Sequence, residues 1–248
     1  MQSFLSLGRL HIPFYGLFAA AGLMCAMGLG LRTARMARVD RDALWDAGMV
    51  TVFSAFVLSR ALLVVENLRT FLKYPVLVLE LPSLTLGGEV LTAIVAVAYL
   101  RRRRLPLLSV MDAAAPCAAL LWAFLGLGSV ADGRRDGMPS SLPWAISSAF
   151  GRVHPVEMYS AVAWFVLCFV LLWILGRVRE PGVTSAWGLV LGGLALFFLD
   201  FFRLPEMLYG YGWVDGGQWK AVEVMVAGSL LLAWRVGIGA VRGVGDAV

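Results

Sequence analysis

Long apolar segments alternate with short polar joints along the whole chain, and this pattern predicts membrane-spanning helices. A helix needs roughly 20 mostly apolar residues to cross the bilayer core, and its backbone polar groups must be paired within the segment. We therefore expect an all-α, polytopic membrane protein with seven crossings. The approximate segments are Pro13–Leu31, Leu44–Val65, Thr85–Leu100, Ser109–Val130, Tyr159–Leu175, Val183–Phe202 and Gln218–Val236.

Arginines in alternate joints set the predicted orientation, because cytoplasmic joints carry an excess of Lys and Arg. With seven crossings the basic joints share one side, which places the N-terminus outside and the C-terminus inside. These joints contain Arg32, Arg35, Arg38, Arg41, Arg101–Arg104, Arg177, Arg179, Arg235 and Arg242. The short apolar stretch from Phe71 to Leu81, with Pro75 inside it and Pro82 after it, is expected to lie at the interface or to re-enter the bilayer.

Composition supports a membrane protein and excludes other classes. The chain is 60% hydrophobic and 15% charged, whereas soluble domains are about half apolar and a quarter charged. The net charge of +5 is spread over the joints, so nucleic-acid binding is not expected. Two histidines and three cysteines without ligand spacing predict no metal site and no cofactor. We expect one membrane domain over residues 1–248 in a bacterial cytoplasmic membrane, with the first apolar segment retained.

Arginines near the predicted outer leaflet are candidate ligand-binding groups, because a charge at membrane depth costs roughly 3 kcal/mol. Arg60, Arg203 and Arg152 could form a pocket for the phosphate of an anionic phospholipid, since guanidinium groups donate paired hydrogen bonds to phosphate oxygens. The alternative is that Arg203 reaches the interface and that Arg60 pairs with Glu89 or Asp200.

The longest polar joint, residues 131–158, is either an outer lid over a substrate site or a solvated loop. At its end His154, Glu157 and Tyr159 bring an imidazole, a carboxylate and a phenol to the start of the fifth helix. His154 could act as a base towards a thiol or hydroxyl, because imidazole exchanges protons near neutral pH. A helix cap or a structural hydrogen bond is the alternative role.

Four motifs in order along the chain carry a family resemblance. They are His11-Ile12-Pro13-Phe14-Tyr15-Gly16-Leu17, then Leu58-Ser59-Arg60 with Glu66-Asn67, then Val153-His154-Pro155-Val156-Glu157-Met158-Tyr159, and then Asp200-Phe201-Phe202-Arg203-Leu204-Pro205-Glu206, and Gly217-Gln218 follows in place. These motifs resemble prolipoprotein diacylglyceryl transferase, a seven-helix bacterial membrane enzyme. The third and fourth are similar to the family's His-Pro-x-Gln-Leu-Tyr and Glu-Phe-Phe-Arg-x-Pro-Asp stretches.

The resemblance implies transfer of diacylglyceryl from phosphatidylglycerol, or another anionic phospholipid, to the lipobox cysteine of a preprolipoprotein. It implies that Arg203 holds the phosphate, that Tyr15 and Arg60 line the lipid site, and that His154 or a neighbouring carboxylate assists proton transfer. No metal or cofactor is implied. The residues expected in the substrate site are completed by Arg134, Glu157, Tyr159, Asp200 and Gln218.

Two segments depart from the family pattern. The family's Gly-Arg-x-Gly-Asn-Phe-x-Asn-x-Glu segment aligns with residues 125–134, where its arginine becomes Gly126, its asparagine Ser129 and its glutamate Arg134. Its His-Gly-Gly aligns with Leu86-Gly87-Gly88, so the histidine is absent.

These departures leave the function open between two classes. In a divergent active transferase, Glu89, as a further catalytic residue, and Arg134 or Arg135 would replace the missing groups. In the alternative, the chain is a non-catalytic relative that serves as a lipid-binding or structural subunit of a larger membrane complex. A transporter would need a polar path through the bilayer, to which the inner-side Asp112 is the sequence's one contribution.

Overall fold

The computed structural model describes residues 4–7, 10–73, 85–134, 136–148, 151–204 and 216–245. Two small antiparallel hairpins accompany the helices; one pairs Phe4 with Pro13 and the other pairs Ile146 with Val153. In chain order the elements are β1 (Phe4–Leu7), β2 (Leu10–Pro13), α1 (Phe14–Met36), α2 (Arg41–Glu66), α3 (Leu68–Lys73), α4 (Leu86–Arg102), α5 (Leu107–Ala131), β3 (Ile146–Ser148), β4 (Gly151–Val153), α6 (Val156–Arg177), α7 (Val183–Asp200) and α8 (Gly216–Gly245).

The helical prediction is confirmed for the part of the chain that the structure describes, whereas the hairpins were not predicted. Among these residues, α1, α2, α5, α6 and α7 are long and apolar enough to cross a membrane. The chain is therefore a polytopic membrane protein. The shorter α4 has 17 residues. The expectation for residues 71–81 lies mostly outside the described residues, since α3 ends at Lys73.

Small residues let the membrane helices approach one another closely. Gly22 of α1 lies against Phe124 of α5, and Gly193 of α7 lies against the backbone of α8 at Ala221. Helices in a bilayer associate through such close packing, because lipid tails remove the hydrophobic drive that operates in water. The small-residue contacts therefore hold the bundle together where apolar composition alone could not.

The long helices alternate in direction along the chain, and this alternation sorts the joints to two ends of the bundle. In the α1–α5 pair, for example, Tyr15 meets Gly128 near one end and Thr33 meets Cys117 towards the other. The hairpin end contains both hairpins and the joints α2–α4, α5–α6 and α7–α8. The arginine end contains the joints α1–α2, α4–α5 and α6–α7 and collects the basic clusters around Arg38, Arg103 and Arg179.

Asp112 fastens three helices at the arginine end. Its carboxylate oxygens accept hydrogen bonds from the backbone N–H groups of Gly182 and Ser185, at 2.6 and 2.7 Å. The first N–H groups of a helix have no partner within it, and negative charge is favoured there. Arg235 of α8 adds an electrostatic attraction to the carboxylate. Asp112, which lies in α5 and is 4% exposed, thus caps the start of α7. This structural role explains the buried carboxylate without a polar transport path.

Candidate active site

A strand-like segment, residues 136–140, lies at the hairpin end between the residues that follow α7 and the residues that precede α6. On one side its backbone pairs with residues 202–204 after α7, at N–H···O distances of 2.8 and 2.9 Å. On the other side it pairs with residues 152–154 before α6, at 2.8 and 3.0 Å. Gly137 packs so closely on the carbonyl of His154 that a Cβ atom would overlap it. His154 and Arg203, distant in sequence, are therefore fixed on either side of one segment.

Arg203 and Glu157 form an ion pair between the end of α7 and the first turn of α6. Arg203 Nη2 lies 3.2 Å from Glu157 Oε1, and the two side chains are 42% and 15% exposed. The Nε atom of Arg203 is buried and has no hydrogen-bond partner among the described residues. A guanidinium carries five N–H donors, so this one retains donors for an anionic ligand.

Aromatic side chains surround His154 and fix the plane of its ring. The Phe202 ring centroid lies 5.2 Å from that of His154 and 5.9 Å from that of Tyr159. The Tyr159 hydroxyl lies 3.4 Å from His154 Nδ1 and accepts a hydrogen bond of 2.7 Å from Trp144 Nε1. The imidazole, the phenol and the ion pair of Arg203 thus form one cluster, which we call the His154 cluster.

Arg152 holds the loop that carries Trp144. Its Nη2 atom lies 3.0–3.3 Å from three loop carbonyl oxygens, those of Leu142, Pro143 and Ala145. These bonds engage the guanidinium in its own loop. Arg152 therefore holds this loop in shape, and its binding of phosphate together with Arg60 and Arg203 stays a prediction.

Two further groups of expected site residues lie at the same end of the bundle. The guanidinium carbon of Arg134 is 5.9 Å from the ring centroid of Tyr15, which itself packs on α5. At the start of α8, the Asp200 carboxylate lies against Gly217, and the next residue, Gln218, is buried. The structure thus joins Tyr15 to Arg134, and Asp200 to the first turn of α8.

Arg60 and Glu89 lie on the α2–α4 pair, outside the His154 cluster. The guanidinium carbon of Arg60 is 5.5 Å from the ring centroid of Phe71 in α3. Glu89 is exposed in the first turn of α4; its backbone N–H donates to the Thr85 carbonyl, and its carboxylate forms no hydrogen bond or ion pair with any described residue. Arg135, offered as an alternative to Arg134, lies outside the described residues.

Comparison with known proteins decides the family. The family profile described as prolipoprotein diacylglyceryl transferase matches residues 2–234. The chain belongs to this family. Three similar proteins, each named phosphatidylglycerol–prolipoprotein diacylglyceryl transferase, come from Synechococcus elongatus (24% identical, covering 95% of this chain and 82% of the relative), Nitratidesulfovibrio vulgaris (29%, 92% and 91%) and Pseudomonas paraeruginosa (28%, 93% and 91%). The resemblance drawn from the four motifs is confirmed.

Close helix packing occurs at Gly126, where this chain departs from the family's motif, and at the two glycines that follow the missing histidine. A Cβ atom at Gly126, aligned with the family's arginine, would lie 3.1 Å from the backbone of Ala161 in α6. The glycines after the missing histidine, Gly87 and Gly88, pack on Leu62 and Ser59 of α2. These positions therefore serve helix contacts in this member of the prolipoprotein diacylglyceryl transferase family.

Two residues of the His154 cluster had no role assigned from sequence. Trp144 is a tryptophan within a polar loop, and its 15-residue distance from Tyr159 gives no sign of their hydrogen bond. Gly137 packs on the His154 carbonyl, and the sequence pattern gives no sign of this contact. A large aromatic residue inside the lid was the one available signal.

Proposed function

We propose that this chain transfers diacylglyceryl from phosphatidylglycerol to the lipobox cysteine thiol of a preprolipoprotein, the activity named for its relatives. The observation that carries the proposal is Arg203, whose guanidinium keeps donors beyond its ion pair with Glu157 and whose backbone pairs with the same segment that pairs with His154. An arginine fork suits the phosphate of a lipid headgroup. Arg203 is therefore the group that holds the leaving phosphate.

The proposed reaction is a displacement at the glyceryl carbon that carries the phosphate. The thiol sulfur forms a bond to this carbon while the bond from carbon to phosphate oxygen breaks, and the electron pair leaves on glycerol phosphate. The thiol proton passes to a base, either His154 or a neighbouring carboxylate. Arg203 stabilises the negative charge that develops on the phosphate.

The remaining site residues receive proposed roles from their positions. Tyr15 and Arg134 form one wall, on which the cation of Arg134 supplies positive charge in place of the arginine absent at Gly126. Asp200 and Gln218 orient the start of α8 beside the end of α7. The list is completed by the α2–α4 pair, where Arg60 would line the lipid site and Glu89 would assist catalysis.

The basic joints support an orientation for this site. They gather at the arginine end, and cytoplasmic joints carry such charge. We therefore place the hairpin end on the outer face of the bacterial cytoplasmic membrane, with α4 and α8 completing seven crossings, N-terminus out and C-terminus in. Residues 131–158 then form a lid on the side where a secreted preprolipoprotein arrives.

The test is transfer of radiolabelled diacylglyceryl from phosphatidylglycerol to a lipobox peptide by the purified protein. We expect label on the cysteine peptide and none on a peptide with serine in its place. Arg203→Ala should lower turnover about 100- to 1,000-fold, the usual effect of removing one donor to a developing anion. Arg177→Ala is the matched control, since Arg177 rests on Trp173 at the arginine end, 4.4 Å from the ring centroid.

Each outcome bears directly on the proposal. Turnover that depends on Arg203 and not on Arg177 supports a transferase that works without the family's missing groups. If the folded protein binds phosphatidylglycerol but gives no labelled peptide, the transferase proposal is wrong and the lipid-binding subunit takes its place.

A further inference from the structure

The side chains of Trp144, Tyr159 and His154 form a hydrogen-bonded chain that ends on the imidazole. Trp144 Nε1 is 2.7 Å from the Tyr159 hydroxyl, and this hydroxyl is 3.4 Å from His154 Nδ1. Trp144 comes from the loop that Arg152 holds, whereas Tyr159 lies in the first turns of α6. The chain thus connects the lid to the imidazole of the proposed site.

Chemistry fixes the direction of the first hydrogen bond and allows either direction in the second. An indole N–H donates and cannot accept, so the Tyr159 oxygen accepts from Trp144. The phenol keeps one proton that it can donate to His154 Nδ1, and it donates there when this nitrogen carries no proton. A neutral imidazole that accepts at Nδ1 carries its proton on Nε2.

We propose that Trp144 is a positioning residue that, through Tyr159, holds neutral His154 in the form with its proton on Nε2. The inference rests on the proposed function for its purpose, though not for its test. In this form His154 donates a hydrogen bond from Nε2 to an anionic oxygen, such as that of a phosphate. Because Nε2 already carries a proton, it does not accept the proton of the thiol. The base in the proposed reaction is then a neighbouring carboxylate rather than His154.

The Phe202 ring packs on His154 and Tyr159, so the hydrogen bond from Tyr159 acts on an imidazole that is already in contact with its neighbours. Phe202 contacts both the imidazole and the phenol, and the backbone N–H of His154 donates to the Met138 carbonyl at 3.0 Å. With the backbone and one ring face in contact, the bond to Tyr159 bears on which nitrogen faces the phenol and which nitrogen carries the proton. A hydrogen bond to one nitrogen sets that choice.

Nitrogen-15 NMR of the histidine-labelled full-length protein in lipid nanodiscs reads the proton position directly. The chain has two histidines, so His11→Gln assigns the His154 signals without further labelling. At alkaline pH, where imidazole is neutral, we expect a pyridine-like shift for Nδ1 and a pyrrole-like shift for Nε2. The reverse assignment in the wild-type protein would overturn the proposal, and this readout requires no turnover.

Substitutions then test the role of Trp144. Trp144→Phe keeps an aromatic ring and removes the donor, and Tyr159→Phe removes the link; both should give a mixture of the two neutral forms. Trp219→Phe is the matched control, because Trp219 is an exposed tryptophan at the same end, 51% against 57% for Trp144. Wild-type shifts in Trp144→Phe would contradict the proposal.

Activity adds a second readout that separates the two proposals. If the protein turns over, Trp144→Phe should lower kcat about two- to tenfold, the range for loss of one hydrogen bond, with KM unchanged. A change in KM alone would instead make Trp144 a lipid contact and overturn the positioning role. Absence of turnover in the wild-type protein, with the predicted histidine shifts present, would refute the proposed function and leave the hydrogen-bonded chain standing.

Discussion

Two carboxylates at opposite ends of the bundle are treated differently by their surroundings. Asp112, at the arginine end, is 4% exposed, and both of its oxygens accept backbone N–H bonds shorter than the usual 2.9 Å. Glu157, at the hairpin end, has one contact of 3.2 Å with an arginine that is 42% exposed. Both oxygens of the first carboxylate are bound to backbone N–H groups of the fold, whereas the second belongs to a pair that a ligand can enter.

This difference separates structural from functional charge in a membrane protein. Every ionisable residue near a span has an insertion cost, so cost alone does not mark a site. The hydrogen bonds that each group forms with the fold do: Arg203 has a buried Nε without a partner among the described residues, while both oxygens of Asp112 accept backbone hydrogen bonds. Substitution at the two ends should therefore affect different properties of the protein.

The largest expected effect on stability is at Asp112. Asp112→Ala leaves the N–H groups of Gly182 and Ser185 buried and without acceptors, at roughly 1–3 kcal/mol each. We expect a total loss of about 3 kcal/mol, or about 6–12 °C in the melting temperature for a protein of this size. Thermal unfolding in detergent, followed by circular dichroism, measures it.

Asp112→Asn is the control, because it keeps one acceptor oxygen and should lose less. Folded Asp112→Ala should retain its turnover per molecule, and Arg203→Ala should show the reverse pattern, with lost turnover and an unchanged melting temperature. If Asp112→Ala abolished turnover without lowering stability, the assignment of Asp112 to the fold would fail.

The sequence predicted the helices well because the bilayer imposes a simple requirement of length and apolarity. Each predicted segment coincides with a helix, and α5 was placed to within two residues at its start, Leu107 against the predicted Ser109. The additional residues of α2 follow from Asp40, whose side chain accepts from the N–H of Ala43 and starts the helix at Arg41.

The site was less predictable because its contacts cross between segments distant in the chain. The motif His154–Tyr159 placed three groups together by local spacing, and the structure adds Arg203 from 46 residues away. The contact of Arg152 with three carbonyl oxygens of its own loop was not predicted, since nothing in a linear pattern shows it. Backbone carbonyls are present at every residue, so only the fold reveals which of them a guanidinium meets.

A smaller effect is expected at Gly126, where α5 and α6 meet. Gly126→Ala adds a Cβ atom 3.1 Å from the backbone of Ala161, and overpacking of this kind costs about 1–2 kcal/mol. Gly28→Ala in α1 is the control, since a Cβ there meets no atom within 4 Å and alanine favours a helix. Thermal unfolding should therefore rank Gly126→Ala below the wild-type protein and Gly28→Ala at or above it. Equal melting temperatures for both variants would show that α6 shifts to accommodate the Cβ atom with no loss of stability.

The smallest expected effect tests whether the Arg203–Glu157 pair is open to a ligand. Glu157→Gln removes the charge that competes with phosphate while keeping the side chain's shape, and partly exposed pairs contribute roughly 0.2–1 kcal/mol. We expect the KM for phosphatidylglycerol to fall about two- to fivefold, with kcat nearly unchanged, measured by the radiolabel transfer assay over a range of lipid fractions. A large fall in kcat would instead identify Glu157 as the carboxylate that takes the thiol proton. A rise in KM would show that the ion pair preorganises Arg203, and the contrast with Asp112 would then be one of degree, because both carboxylates would serve to fix a neighbouring group.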